Sequence, residues 1–331
     1  MLQRISSKIN RTFRQFLYLS GSERVCYNSK ENANLVLMYH NVDLNGDQRF
    51  NARHIARHDF RKQLTYFKKR FNIVSLSEMF ENPNEQGNRL SITFDDGLAN
   101  NFTNALPELE TLSIPATFYV TCANLQNNSI LWPDAMNILT HFHKGPLNCL
   151  GQVFQPHPWN RWHSNEHGEL MGFLKSRSHD ERMQFIEELE SSLGIKPNES
   201  APADYHTLLS GAQIKSMSHN PLFEIGSHAI SHSNLANLTT EEQRIELSQS
   251  KAYLEEITQK SITSIAYPDG SYSRSTIDIA EECGYNHQLA VNYRHQEDRN
   301  DPRILDRFGL YNDRSVIEQL HQVNQRLHEE H

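Results

Sequence analysis

The chain has 331 residues, enough to bury one large α/β barrel or two ordinary domains. Hydrophobic residues at 37% and charged residues at 22% suit a folded globular protein and exclude a disordered tail or a coiled coil. With 32 basic against 40 acidic residues the formal charge is −8, which is not the footprint of a nucleic-acid binder.

Residues 1–28 stand apart. Leu2, Ile5, Ile9, Phe13 and Phe16 recur at spacings of three and four with Arg4, Lys8, Arg11 and Arg14 between them, predicting an amphipathic helix with a basic face. Such a helix either packs on the main domain or lies on an anionic membrane surface as a peripheral contact. No apolar run reaches the ~20 residues of a membrane span. No apolar core of about 7–15 residues follows the first basic residues, so a secretory signal is not expected. Cys26, Cys122, Cys149 and Cys283 form no CxxC pair and read as free thiols, which predicts a cytoplasmic protein, peripheral at most to the inner membrane face.

From residue 29 to 331 a single domain is expected. Strand patterns fall at 35–39, 72–75, 90–94, 116–121, 223–226, 262–267, 288–291 and 304–310. Helical patterns lie between most of them, at 59–71, 102–112, 211–218, 240–258, 275–283 and 315–327. Strand–helix alternation implies a parallel sheet, and seven or eight such units favour a closed or partly closed (β/α) barrel over a doubly wound sheet. In such barrels the chemistry sits at the carboxyl ends of the strands. The interval from about 124 to 220 breaks the rhythm and reads as a long insertion over one rim. It holds Trp132, Trp159 and Trp162, of which Trp132 is the first candidate for a ligand-stacking platform.

Two motifs carry chemistry. Leu90-Ser-Ile-Thr-Phe-Asp-Asp-Gly97 is an apolar strand ending in adjacent carboxylates, Asp95 and Asp96, which are costly to desolvate together without a cation or a shared proton. Gly97 permits a tight turn behind them. In Glu224-Ile-Gly-Ser-His-Ala-Ile-Ser-His232 the two histidines are four apart, a spacing that one helical turn would convert into a shared face. Two imidazoles and one carboxylate make a metal site with open positions.

Together these segments resemble the first two motifs of the polysaccharide deacetylases, the NodB-like carbohydrate esterases, over roughly residues 35–311. The first motif matches fully; in the second, Ala229 stands where the family has Ser or Thr. The resemblance implies a distorted or incomplete TIM-like barrel, Asp95 as catalytic base, and Asp96, His228 and His232 as ligands of one divalent metal, most often zinc. The third motif, Ile265-Ala-Tyr-Pro-Asp-Gly270, lacks the Arg-x-Pro-Tyr of the better-known branch. It is closer to the Tyr-Pro-x-Gly form of a circularly permuted branch that includes poly-N-acetylglucosamine deacetylases. By that resemblance Tyr267, Pro268 and Asp269 bind substrate, and His40, which ends the strand at 35–39, is the general acid. Arg307, near the last strand, either forms an ordinary surface salt bridge or takes the place of the missing arginine. A carboxylate partner is needed to hold the proton on His40, and Asp269 is one candidate. The implied reaction is metal-dependent N-deacetylation of an N-acetylated glycan with release of acetate. A metal-free carbohydrate-binding relative, or a hydrolase of another amide or an O-acetyl ester, are the alternatives.

Overall fold

The computed structural model describes residues 33–329 apart from 127–128 and 159–160. The predicted basic helix at 1–28 and Trp159 lie outside the described residues.

Chain order explains the architecture. β1 (Asn34–Tyr39) leads into a small parallel pair, β2 (Asn41–Asp43) and β3 (His54–Ala56), then α1 (Arg57–Arg70), β4 (Asn72–Ile73), α2 (Leu76–Glu81) and β5 (Arg89–Phe94). A π-helical turn at Asn101–Ala105 runs into α3 (Leu106–Leu112), followed by β6 (Ala116–Val120). The long segment after β6 opens with α4 (Trp132–Phe142). It continues through an antiparallel sheet of β7 (Leu147–Cys149), β8 (Gln152–His157), β9 (Arg161–Ser164) and β10 (Gly168–Glu169). Then come α5 (Leu170–Lys175), α6 (His179–Leu193) and α7 (Gly211–His219). The main fold resumes with β11 (Phe223–Ser227), α8 (Thr240–Thr258), β12 (Ser264–Ala266), α9 (Arg274–Glu282) and β13 (His287–Leu289). It ends with β14 (Ile304–Leu305), β15 (Phe308–Gly309) and α10 (Val316–Glu329).

The main sheet runs β14-β13-β12-β11-β6-β5-β1-β15, every pair parallel. β14 and β15 lie at opposite ends of that order, yet only Asp306 and Arg307 separate them in the chain. Residues 304–309 therefore bond to β13 with their first half and to β1 with their second, curling the sheet into a distorted (β/α) barrel. The single strand expected at 304–310 is broken there because Arg307 turns its side chain inward. Its backbone N–H donates to Val291.

Alternation along each strand separates two layers. Leu35, Leu37, Tyr39, Leu90, Ile92, Phe94 and Phe118 pack outward against Phe60, Leu64 and Phe67 of α1 and Leu109 of α3. Each such burial contributes about 1.5–3 kcal/mol. Val36, Tyr119, Ala266 and Leu289 fill the barrel interior, where Val74, Leu76 and Met79 plug the amino-terminal end. The carboxyl end is left for polar groups. Thr93 and Asp95 share the inward parity of Ser91, so the strand that carries them aims the carboxylate over the barrel axis. The segment after β6 has its own apolar cluster, with Trp132, Phe154, Trp162, Phe173 and Phe185 among its members. Among the described residues no helix is long and apolar enough to cross a membrane.

Candidate active site

Asp95 is the first residue beyond β5. Its two oxygens accept from Arg307 Nη1 at 2.6 Å and Nη2 at 2.8 Å, a bidentate pair buried from solvent. Arg307 also donates from Nε to Ala290 O (3.2 Å) and from Nη1 to Thr93 Oγ1 (3.3 Å), so the guanidinium is fixed at three points. Burial alone would raise the Asp95 carboxyl, but Arg307 and His228 outweigh it and hold the group below the usual carboxylate range.

Asp96 adopts a left-handed backbone (φ 74°), which swings its side chain away from that of Asp95. Gly97 follows at φ 75°, where a Cβ would lie 3.0 Å from Val120 Cα, so the turn needs glycine. Asp96 Oδ2 accepts from Arg53 Nη1 at 2.8 Å. Asp96 Oδ1 is buried and makes no hydrogen bond. It lies 3.3 Å from His232 Nε2 and 3.8 Å from His228 Nε2, and the three ligand atoms fall within 4.8 Å of one another. His228 Nδ1 is 2.7 Å from the Ala266 carbonyl, which can only accept, so this nitrogen carries the proton and Nε2 keeps its lone pair. Burial lowers the His228 pKa and keeps the ring neutral. An orphaned carboxylate oxygen facing two imidazole nitrogens is the donor set of a divalent cation, and the residues fit one.

His228 and His232 do not share a helical turn. They sit in the loop after β11, with Ala229 at φ 60° and His232 at φ 51°. Tertiary hydrogen bonds impose this shape. Glu246 on α8 accepts from Ile230 N (2.7 Å), from Ser231 N (3.0 Å) and from the Ser231 hydroxyl. Cys122 N donates to Ala229 O at 2.9 Å. The imidazoles converge, with ring centroids 5.1 Å apart, because two left-handed residues fold the loop back on itself.

Trp132 is no sugar platform. It is 3% exposed, its indole N–H donates to His232 O at 3.0 Å, and Arg182 covers its ring at 5.1 Å. As the first residue of α4 it packs into the second apolar cluster and braces the histidine loop. Trp162 is likewise buried and bonded to Gly145 O. Tyr267 is also core: fully buried, with its hydroxyl on Gln288 Oε1 at 2.5 Å, it cannot touch a substrate at the rim. Pro268 is buried in the turn that follows. Asp269 is left-handed (φ 54°) and pairs with Lys175 Nζ at 2.7 Å.

His40 is the residue after β1, at the same rim, with Tyr311 5.7 Å from its ring and a buried, unpartnered Nδ1. The carboxylates that act on it are Asp96 and Asp95, not Asp269. Burial outweighs them and pushes the imidazole down to about 4.

Arg53 escaped the sequence reading. It joins Asp96 to Asp134, a buried carboxylate in the first turn of α4, and no motif surrounds either residue. Its neighbour His54 is stacked on Tyr205 at 4.3 Å and pushed down to about 3 by burial, with Arg53 adding to the shift. A histidine depressed in the folded state binds its proton more readily unfolded, so stability is full above pH 6.5 and lost as pH falls towards the folded values. His54 and His40 each contribute a slope of about 1.4 kcal/mol per pH unit below 6.5. His232, which Asp96 raises, acts in the opposite sense. The urea midpoint of metal-free protein is expected to fall between pH 6.5 and 4.5, and His54→Phe to flatten the slope. A flat wild-type profile contradicts this.

Residues 82–287 match the family described as Polysaccharide deacetylase. The chain belongs to the polysaccharide deacetylase family. Its members are hydrolases of carbon–nitrogen bonds, and the matched span contains both aspartates and both histidines. A 77-residue stretch is 35% identical to YxkH of Bacillus subtilis, covering 23% of this chain and 27% of that relative, about a quarter of its length. The fold is shared with the deacetylase PplD of Streptococcus pyogenes, at 17% identity and TM-score 0.56 over 89% of this chain and 98% of that one. It is also shared with IcaB of Ammonifex degensii, at 18% identity and TM-score 0.53 over 89% and 97%.

Proposed function

We propose that this polysaccharide deacetylase removes acetyl groups from an N-acetylated glycan by metal-dependent hydrolysis, with Asp95 as base and His40 as acid. The observation that carries the reading is the separation of the two aspartates. Asp95 is bound through both oxygens to Arg307, whereas Asp96 offers a bare oxygen to the two histidines. Asp96, His228 and His232 would hold a divalent ion, most simply zinc, and that ion would supply Lewis acidity toward the acetamide carbonyl and water.

The chain's own groups do the proton work. Asp95 stays ionised because Arg307 opposes the effect of burial, and it accepts a proton as water adds to the carbonyl carbon. The left-handed Asp269 places its backbone N–H at the rim as a candidate donor to the developing oxyanion. The C–N bond breaks only if nitrogen is protonated, and His40, at the same rim as the base, is the donor. Burial holds its free imidazole down to about 4, so it becomes the acid only once negative charge developing on the substrate raises it. Because Nδ1 is buried, donation falls to Nε2. The sugar leaves as a free amine, and the acetyl group as acetate.

His40→Ala is expected to retain bound metal and lose roughly 10²–10⁴-fold in kcat on an N-acetyl sugar. A substrate with a better leaving group should lose less, since it needs the acid less. Near-wild-type kcat on the N-acetyl sugar excludes His40 as the acid. Acetate release from matched N-acetyl and O-acetyl sugars tests the bond class: activity confined to the ester overturns N-deacetylation.

A further inference from the structure

The first turn of α4 reaches the metal ligands along two independent routes. Trp132, its first residue, donates from the indole N–H to the His232 carbonyl at 3.0 Å. Asp134, two residues on, accepts from Arg53 Nη2, and Arg53 Nη1 donates to Asp96 Oδ2 at 2.8 Å. The carboxylates of Asp96 and Asp134 are both fully buried.

A guanidinium is a planar fork, so carboxylates on two of its nitrogens fix its plane. The Arg53 backbone is held as well: its N–H donates to Asn51 Oδ1 at 2.8 Å, and its carbonyl accepts from Asn41 N at 3.3 Å. Held this way, Arg53 occupies Oδ2 of Asp96 and leaves Oδ1 to face His228 and His232.

Charge gives Asp134 a second role. Arg53 alone would cancel the charge of Asp96 and set a cation beside the place where a divalent ion binds. Burial pushes the Asp134 carboxyl up to about 6, so it is ionised at pH 7.5 and offsets the arginine. Two carboxylates against one guanidinium leave one net negative charge, which Asp134→Asn removes. In a buried site that loss is little screened.

We propose that Asp134 is a positioning residue of the metal centre, acting through Arg53 on Asp96, so that the segment after β6 sets the affinity for the ion. The inference rests on the metal reading of Asp96, His228 and His232. Metal-stripped protein is titrated with zinc by calorimetry at pH 7.5, and the Tm of each stripped variant is measured beside it. Asp134→Asn, which keeps the side-chain volume, is expected to bind one equivalent with a Kd about 10–100-fold weaker than wild type. Arg53→Lys keeps the charge but loses the fork, and should weaken the Kd about tenfold. Met136→Ala, which takes apolar volume from the buried face of the same helix, should lower Tm and leave the zinc Kd unchanged. Zinc affinity equal to wild type in both Asp134→Asn and Arg53→Lys overturns the proposal. So does a Met136→Ala Kd weakened as much as that of Asp134→Asn, which would reduce Asp134 to packing. A wild type that binds no zinc refutes the metal reading itself, whereas variants that match a zinc-binding wild type leave that reading standing.

Discussion

Arg307→Ala is expected to cost about 3–5 kcal/mol of stability, because it leaves Asp95 as a buried charge without a partner. The catalytic consequence is separable from the structural one. Without Arg307 the effect of burial dominates and the Asp95 carboxyl moves upward, so the acid limb of the kcat/KM profile shifts to higher pH. Activity lost at pH 6 should be partly recovered at pH 8. Arg307→Lys restores charge but not the two-point contact, and should lie between the two. The check is a pH–rate profile of each variant at a temperature where it remains folded. An acid limb unmoved in Arg307→Ala would show that Asp95 is not the group titrating there.

The second large effect separates ligand from base. His228→Ala or His232→Ala should lower metal affinity by more than the ~10–100-fold that loss of an outer partner costs, and turnover should vanish with the metal. Asp95→Asn should keep the metal, since Asp95 is held by Arg307 while Asp96 offers the free oxygen. Its kcat should fall roughly 10²–10⁴-fold. Metal content measured beside kcat distinguishes the two classes. An Asp95→Asn protein emptied of metal would reverse the roles of the adjacent aspartates.

Much of this site was legible because its residues lie at strand ends. An apolar run closing on Asp95-Asp96-Gly97, another on His40, and a third followed by His228 set three pieces of chemistry on one rim as soon as the strands are parallel. Arg307 was legible for a weaker reason, as an arginine near the last strand of a chain whose third motif lacks one, and it sits where the barrel closes. What stayed hidden depends on distant partners. The histidine loop takes its shape from Glu246, which lies on another element, and nothing local to residues 228–232 announces two left-handed residues. Trp132 and Tyr267 have the residue types of a sugar site but face a core, and burial of a single aromatic has no local signature. Arg53 is one arginine in a polar loop; its role exists only because α4 brings Asp134 to the opposite side.

The most direct measurement is acetate release from an N-acetylglucosamine oligomer by purified protein stripped with a chelator and then titrated with zinc. Activity is expected to be absent after stripping and to return in step with one equivalent of metal, with Asp95→Asn binding the same equivalent and releasing almost no acetate. Full activity in the stripped protein, or zinc that binds at one equivalent while wild type releases no acetate, would contradict the assignment.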